Sequence, residues 1–205
     1  MSTSEIGKSV RPYHHGRLRE ALIEAAMTAA RSDGPDAVAL RAVSRQVGVT
    51  ANAAYRHFAN RDDLLRAVAR RCLDLMGELM ETRLAAAEPL SGPDGAWTRL
   101  HVTGRAYVEF ALSEPGWFHS AFSIPIEPER HRPGGARGLR LILTSVLDQL
   151  AETGAITASQ RIRAEYVAWS AVHGVATLLS SGSLRDLPAE ERTAAIDRVI
   201  LAVSF

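Results

Sequence analysis

The sequence predicts an all-α protein of about nine helices, and three observations carry that prediction. Apolar residues recur at three- and four-residue spacing in every long segment, and no segment keeps up the strict alternation of a half-buried strand. Glycine- and proline-rich breaks separate these segments at Ser32-Asp-Gly-Pro35, from Glu88 to Gly95, at Ser113-Glu-Pro-Gly116 and from Ile124 to Gly138. Residues suited to start a helix follow the breaks: Thr50, Asn60, Thr157 and Pro188.

In order, a first helix over about 16–31 puts Leu18, Leu22, Ala25, Ala26 and Ala29 on one stripe. A short second helix carries Leu40, Val43 and Val47 and stops at Gly48, which tolerates the positive φ of a tight turn. Thr50 caps a third, very short helix in which Ala54 and Phe58 face inward and Ala51, Asn52 and Tyr55 face out. Asn60 caps a long fourth helix, with Asp62 and Asp63 in its first turn where the helix dipole favours carboxylates. Its apolar face runs from Leu64 through Cys72 to about Ala87. A fifth helix carries Trp97, Leu100, Tyr107 and Ala111, and a short aromatic segment, residues 117–122, leads into a loop over 124–138 expected to be mobile. A helix from Leu139 ends at Gly154. Thr157-x-x-Gln160 then reads as the capping box of a long helix through Leu179, and a last helix follows Pro188. There is no internal repeat.

With 205 residues and 46% hydrophobic content the chain can bury a substantial core. No run approaches the ~18 apolar residues of a membrane span, and the N-terminus lacks the apolar centre of a signal peptide. The expectation is a cytoplasmic protein without a membrane partner. The single cysteine, Cys72, lies on an apolar helical stripe and reads as a buried thiol. The net charge of +1 hides an uneven distribution: residues 1–71 hold twelve Lys or Arg against seven Asp or Glu, while residues 72–205 hold twelve against sixteen. A basic module joined to an acidic body is an arrangement expected of a nucleic-acid-binding protein.

The second and third helices with the turn through Gly48-Val49 form a helix-turn-helix, whose second helix enters the major groove. Donors surround it: Arg41 before it, Arg61 after it, and an upstream arm of Lys8, Arg11, His14, His15 and Arg17. Tyr55, His57 and Arg61 suit phosphates, Asn52 an adenine edge, and Ala51 or Ala53 thymine methyls. The stretches Tyr13 to Leu22, Leu40 to Thr50 and Ala54 to Leu65 together resemble the N-terminal domain of the TetR family of transcriptional regulators. The resemblance implies phosphate contacts for Tyr55, His57 and Arg61, and groove contacts for Arg41 and Asn52, with Thr50 and Ala51 beside them. The family commonly places Ser or Thr before the second helix, where this chain has Ala39, so Asp36 is the candidate substitute cap.

In the C-terminal half, Trp169-Ser-Ala-Val-His173-Gly174 resembles the Trp-His-Gly signature of one TetR C-terminal subclass. Ala164, Ala168, Ala171, Val175 and Leu178 repeat at four- and three-residue spacing, a seam expected to build a homodimer from the last two helices of each subunit, since palindromic operators need a two-fold protein; the alternative is core packing within one chain. The candidate effector-binding residues are Trp97, Tyr107, Phe110, Trp117, Phe118, Phe122 and His173, with Trp117 and Phe118 foremost because they edge the loop. The predicted organisation is a basic arm at 1–13, a DNA-binding domain at 14–75 and an effector-binding, dimerising domain at 76–205. The expected function is operator binding relieved by a small, largely apolar effector. The alternative is a ligand-binding or adaptor protein of the same fold that does not read DNA. No metal-ligand spacing, phosphate loop or nucleophile elbow is present, so neither an enzyme nor a bound cofactor is expected.

Overall fold

The computed structural model describes residues 13–88, 90–125 and 135–203, with side chains described from Arg17 and, in the last segment, from Gly138. The described residues form ten α-helices and one 3₁₀ turn, with no strand. The arm at 1–12 and most of the 124–138 loop lie outside the described residues.

Helix α1 (Tyr13–Asp33), the 3₁₀ turn (Pro35–Ala37), α2 (Leu40–Val47), α3 (Ala51–Tyr55) and the first half of α4 (Arg61–Ala86) enclose one core. Leu22, Ala26, Val38, Ala54, Leu64, Val68 and Cys72 in this core are completely buried. A second core lies between the latter half of α4, α5 (Gly92–Ser113), α6 (Pro115–Phe122) and α9 (Ala164–Ser180). A third joins the start of α5 to α7 (Gly135–Glu152) and the start of α9. Leu75 packs against both of the first two. With 26 residues α4 is about 39 Å long, and it runs from the first core into the body. The last helix, α10 (Ala189–Ala202), packs on α5 and α9.

The expected eighth helix is interrupted. The capping box forms: Thr157 Oγ1 accepts from Gln160 N at 3.2 Å, and Thr157 N donates to Gln160 Oε1 at 2.8 Å. It closes only the single turn α8 (Ala158–Arg161), and the chain then bends at Arg163, whose φ is 62°. Arg161 spans the bend, pairing with Asp148 of α7 at 2.8 Å and with Glu165 of α9 at 2.9 Å. These tertiary pairs hold a break that no glycine or proline marks.

The body grips α1 through α6. Arg31 donates to both oxygens of Glu114, at 2.7 and 2.5 Å, and its guanidinium lies 4.9 Å above the Trp117 ring. Trp117 Nε1 donates to the Met27 carbonyl at 2.9 Å. At Gly116 the two backbones are so close that a Cβ would stand 2.3 Å from the carbonyl oxygens of Ala30 and Arg31.

Candidate nucleic-acid interface and ligand cavity

The turn between α2 and α3 is closed by a Schellman pair: Gly48 N bonds Arg45 O at 3.1 Å and Val49 N bonds Ser44 O at 2.9 Å. Gly48 takes the left-handed conformation that this closure demands, with φ 76°. Thr50 then caps α3, its hydroxyl accepting from Ala53 N at 3.2 Å. These constraints leave Ala54 and Phe58 buried and turn Asn52, Tyr55 and Arg56 to solvent, with Ala51 and His57 half-buried. Arg41 and Arg45, one turn apart on α2, are also exposed. A short helix with donors outward and a fixed entry angle is suited to present side chains to base edges and phosphates.

One expectation at this surface needs correction, and Arg61 is tethered within the subunit. Asp36 does not cap α2: its carboxylate is fully exposed and stands 3.7 Å from Arg61, while Ala39 begins the helix without a side-chain cap. Arg61 is not an outstretched cation. Its Nε donates to Val38 O at 2.9 Å and its Nη2 to Pro35 O at 2.6 Å, tying the start of α4 to the 3₁₀ turn.

The body holds a partly open cavity of about 1120 Å³, large for a small-molecule site. Helices α4, α5, α6, α7, α9 and α10 all contribute to its wall. Leu73, Met80, Phe122, Leu139 and Leu143 are among its apolar lining. Tyr107 and Trp169 add polar edges. The indole of Trp169 donates to the Tyr107 hydroxyl at 3.2 Å, and that hydroxyl lies 2.8 Å from His173 Nδ1. Burial pushes the Tyr107 pKa up, with the Trp169 bond opposing it, and burial lowers the His173 pKa. A protonated phenol that accepts from the indole and donates to a neutral imidazole fits both hydrogen bonds and leaves the imidazole proton on Nε2.

Of the seven expected effector residues, the cavity wall contains Tyr107 and Phe122. His173 sits behind the wall, its ring 4.8 Å from Phe122 and bonded to Tyr107. Phe110 and Phe118, 4% and 2% exposed, fill the second core. Trp97 is half-buried against the third core beside His101. Trp117 is committed to α1. An amphipathic pattern separates apolar from polar faces, but it does not say whether an aromatic ring meets a cavity or another helix.

Of the five residues expected to form a partner seam, Leu178 alone is exposed and Ala171 is half-buried. Ala164, Ala168 and Val175 are 1%, 4% and 5% exposed and pack inside the subunit. Besides Leu178, the outward face of α9 carries Val167, Ser170 and Gly174, all exposed. The sequence reading missed Trp169, although it lies in the Trp-His-Gly signature. It also missed Arg140, Arg161 and Arg163, which reach the cavity from α7 and from the unpredicted bend.

Among the described residues no helix is long and apolar enough to cross a membrane, and no group of three or more metal-ligating side chains occurs. The chain is 27% identical over 172 residues to an uncharacterised HTH-type transcriptional regulator of Mycobacterium tuberculosis, covering 82% of this chain and 73% of that protein. A solved protein of unknown function from Rhodococcus sp. RHA1 superposes with a TM-score of 0.66 at 29% identity, over 94% of this chain and 98% of that one. RolR, solved in complex with resorcinol, shares the fold with a TM-score of 0.66 at 16% identity, over 93% and 89% of the two chains. Residues 22–68 match the bacterial regulatory proteins of the tetR family, and residues 100–203, which contain the Trp169–Gly174 signature, match the tetracyclin repressor-like C-terminal domain. With the helix-turn-helix at one end and the cavity-bearing helical body at the other, the chain belongs to the TetR family of transcriptional regulators, which are DNA-binding proteins and not enzymes.

Proposed function

We propose that this regulator is a homodimeric repressor that leaves a palindromic operator when a small molecule enters the cavity. One observation supports this reading above others: two helices belong both to the core beneath the recognition helix and to the cavity wall. Helix α4 places Leu64 and Val68 in the first core and Leu73 and Met80 on the wall. Helix α6 bonds α1 through Trp117 and lines the cavity with Phe122. An occupant that displaces either side chain would shift a rigid helix whose far end carries the DNA-reading unit. In a dimer the two recognition helices must match about one turn of DNA, ~34–36 Å, so an effector need only favour a mismatched spacing.

In this reading residues 14–75 bind DNA, aided by the arm at 1–13, and residues 76–205 sense and dimerise. Tyr55 and His57 hold phosphates, while Arg41, Thr50, Ala51 and Asn52 line the groove. Arg61 acts as a strut whose remaining Nη donors can still meet the backbone of DNA. The partner subunit packs on the outward faces of α9 and α10, at Val167, Gly174, Leu178 and Leu201. Selection of bound sequences from random DNA with the purified chain tests this directly. An inverted repeat with half-sites one turn apart is expected; no enrichment would favour a ligand-binding protein without operator recognition.

A further inference from the structure

The hydroxyl groups buried in the cavity wall have already committed their protons. Thr103 and Tyr107, one turn apart on α5, both line the cavity and are 3% and 4% exposed. Thr103 Oγ1 donates to the Arg99 carbonyl at 2.8 Å, within its own helix. The Tyr107 hydroxyl accepts from Trp169 Nε1 at 3.2 Å and donates to His173 Nδ1 at 2.8 Å. Because His173 stands behind the wall, the phenol proton is drawn away from the chamber, and Tyr107 keeps one acceptor lone pair. Thr144, half-buried on α7, donates to the Glu165 carboxylate. The donors of Arg140, Arg163 and Tyr166 lie toward solvent, where these wall residues are exposed, and half-buried His101 adds a ring nitrogen. Around the two α5 hydroxyls the wall is apolar. The Phe122 ring lies 6.3 Å from that of Tyr107, and Val172 and Ile200 crowd Gly104, which stands between Thr103 and Tyr107 in the chain.

An acceptor lone pair set in an apolar wall selects a hydrogen-bond donor. A ketone, an ether or a carboxylate brings it only further acceptors. An ammonium brings a charge that is costly to bury, and Glu165, the carboxylate of the wall, is already paired with Arg161 at 2.9 Å. We propose that the effector is an uncharged molecule with an apolar body and a hydroxyl group, and that this hydroxyl donates to the Tyr107 oxygen. Trp169 and His173 are positioning residues: together they fix which way the phenol faces, and so which partner it can take. This rests on the cavity being the effector site, and it narrows the effector from largely apolar to apolar with a hydroxyl donor.

Calorimetric titration of the full-length chain with hydroxyl probes and their acceptor-only ketone counterparts provides the test: 2-naphthol against 2-acetonaphthone, and octan-1-ol against octan-2-one. At least one hydroxyl probe should bind at or below 1 mM and at least five times tighter than its ketone. Tyr107→Phe should abolish or reverse that preference, because it removes the acceptor and releases the Trp169 N–H, a donor that suits the ketone. Trp169→Phe, which frees a second lone pair on Tyr107, should preserve it. A melting curve for each variant reports folding, and Trp169→Phe carries the test if Tyr107→Phe does not fold. Ketones that bind the unmodified chain as tightly as the hydroxyl probes, a preference that survives Tyr107→Phe, its loss in Trp169→Phe, or no hydroxyl binding at 1 mM would overturn the inference. Operator release is a separate readout. Hydroxyl probes that bind selectively without releasing DNA would sink the repressor reading and leave the hydroxyl site standing, while ketones that bind equally and release DNA would do the reverse.

Discussion

The outward face of α9 allows a charge insertion that separates dimer formation from folding. Gly174 is exposed in the subunit, and a Cβ added there meets nothing within 4 Å. Gly174→Glu should therefore be harmless to the isolated subunit; replacing a helix-interior glycine even adds about 0.5–1 kcal/mol of local helix stability. In a dimer packed through this face the two α9 helices cross about 8–10 Å apart, and the two new carboxylates stand on the order of 6 Å from each other. At an effective dielectric near 20, two like charges at that separation repel by about 2.8 kcal/mol, a weakening of dimerisation of roughly a hundredfold. Desolvation of the carboxylates adds to it. Ala168→Glu provides the contrast: the residue is 4% exposed inside the third core, so the charge would be buried within the subunit and should lower the melting temperature whatever the oligomeric state. Sedimentation velocity and thermal melting on both variants read the difference. A Gly174→Glu protein that remains dimeric at micromolar concentration would show that the subunits meet elsewhere.

Three further outcomes follow from the same structure. Asn52→Ala should relax sequence preference at one position per half-site by ~1–3 kcal/mol in competition binding, whereas Arg61→Ala, which strips two carbonyls of a charged donor, should lower the melting temperature as well as operator affinity; an Arg61 variant of unchanged stability would restore it to a pure phosphate ligand. Burial lowers the pKa of His173 and His119, and burial with Arg105 lowers that of His101, each from an ordinary 6.5. A folded-state pKa below the unfolded one means that the unfolded chain takes up more protons, so stability should hold above about pH 6.5 and fall as the pH drops below it; His173→Asn should shallow that fall, and an unchanged pH profile would remove His173 from its causes. Burial pushes the Cys72 thiol up to about 12, so a disulfide reagent at pH 8 should leave the native chain unlabelled and label it on denaturation. Rapid native labelling would contradict that burial.

The helix-turn-helix was legible because single residue types specify each step: Gly48 for the left-handed turn, Thr50 and Asn60 for the caps, Ala54 and Phe58 for the inward face. The bend at Arg163 was not legible, because a capping box marks where a helix begins and says nothing of where it ends. Arg163 occupies a conformation that sequence assigns to glycine or asparagine. The cavity was half legible. Its aromatic setting stood in the sequence, yet Trp117 is fixed by a hydrogen bond to Met27, ninety positions away, and Arg163 reaches the wall only through a bend that no residue pattern marks. Ala168 shows the same limit for the seam, since small residues at three- and four-residue spacing suit packing against a neighbouring helix of the same subunit as well as against a partner.

The contact at Gly116 bears on how such regulators can be recombined. Because α6 meets the terminal carbonyls of α1 without room for a methyl group, the DNA-reading segment is not an interchangeable plug. A chimera that joined another recognition unit to this body within α4 would keep the connecting helix continuous. It would fit only if the incoming α1 ended at the same height and offered a carbonyl to Trp117 where Met27 does. Specificity for DNA and response to ligand are therefore inherited together across this corner, and residues 27–31 and 114–117 are the positions at which a grafted pair would have to be matched.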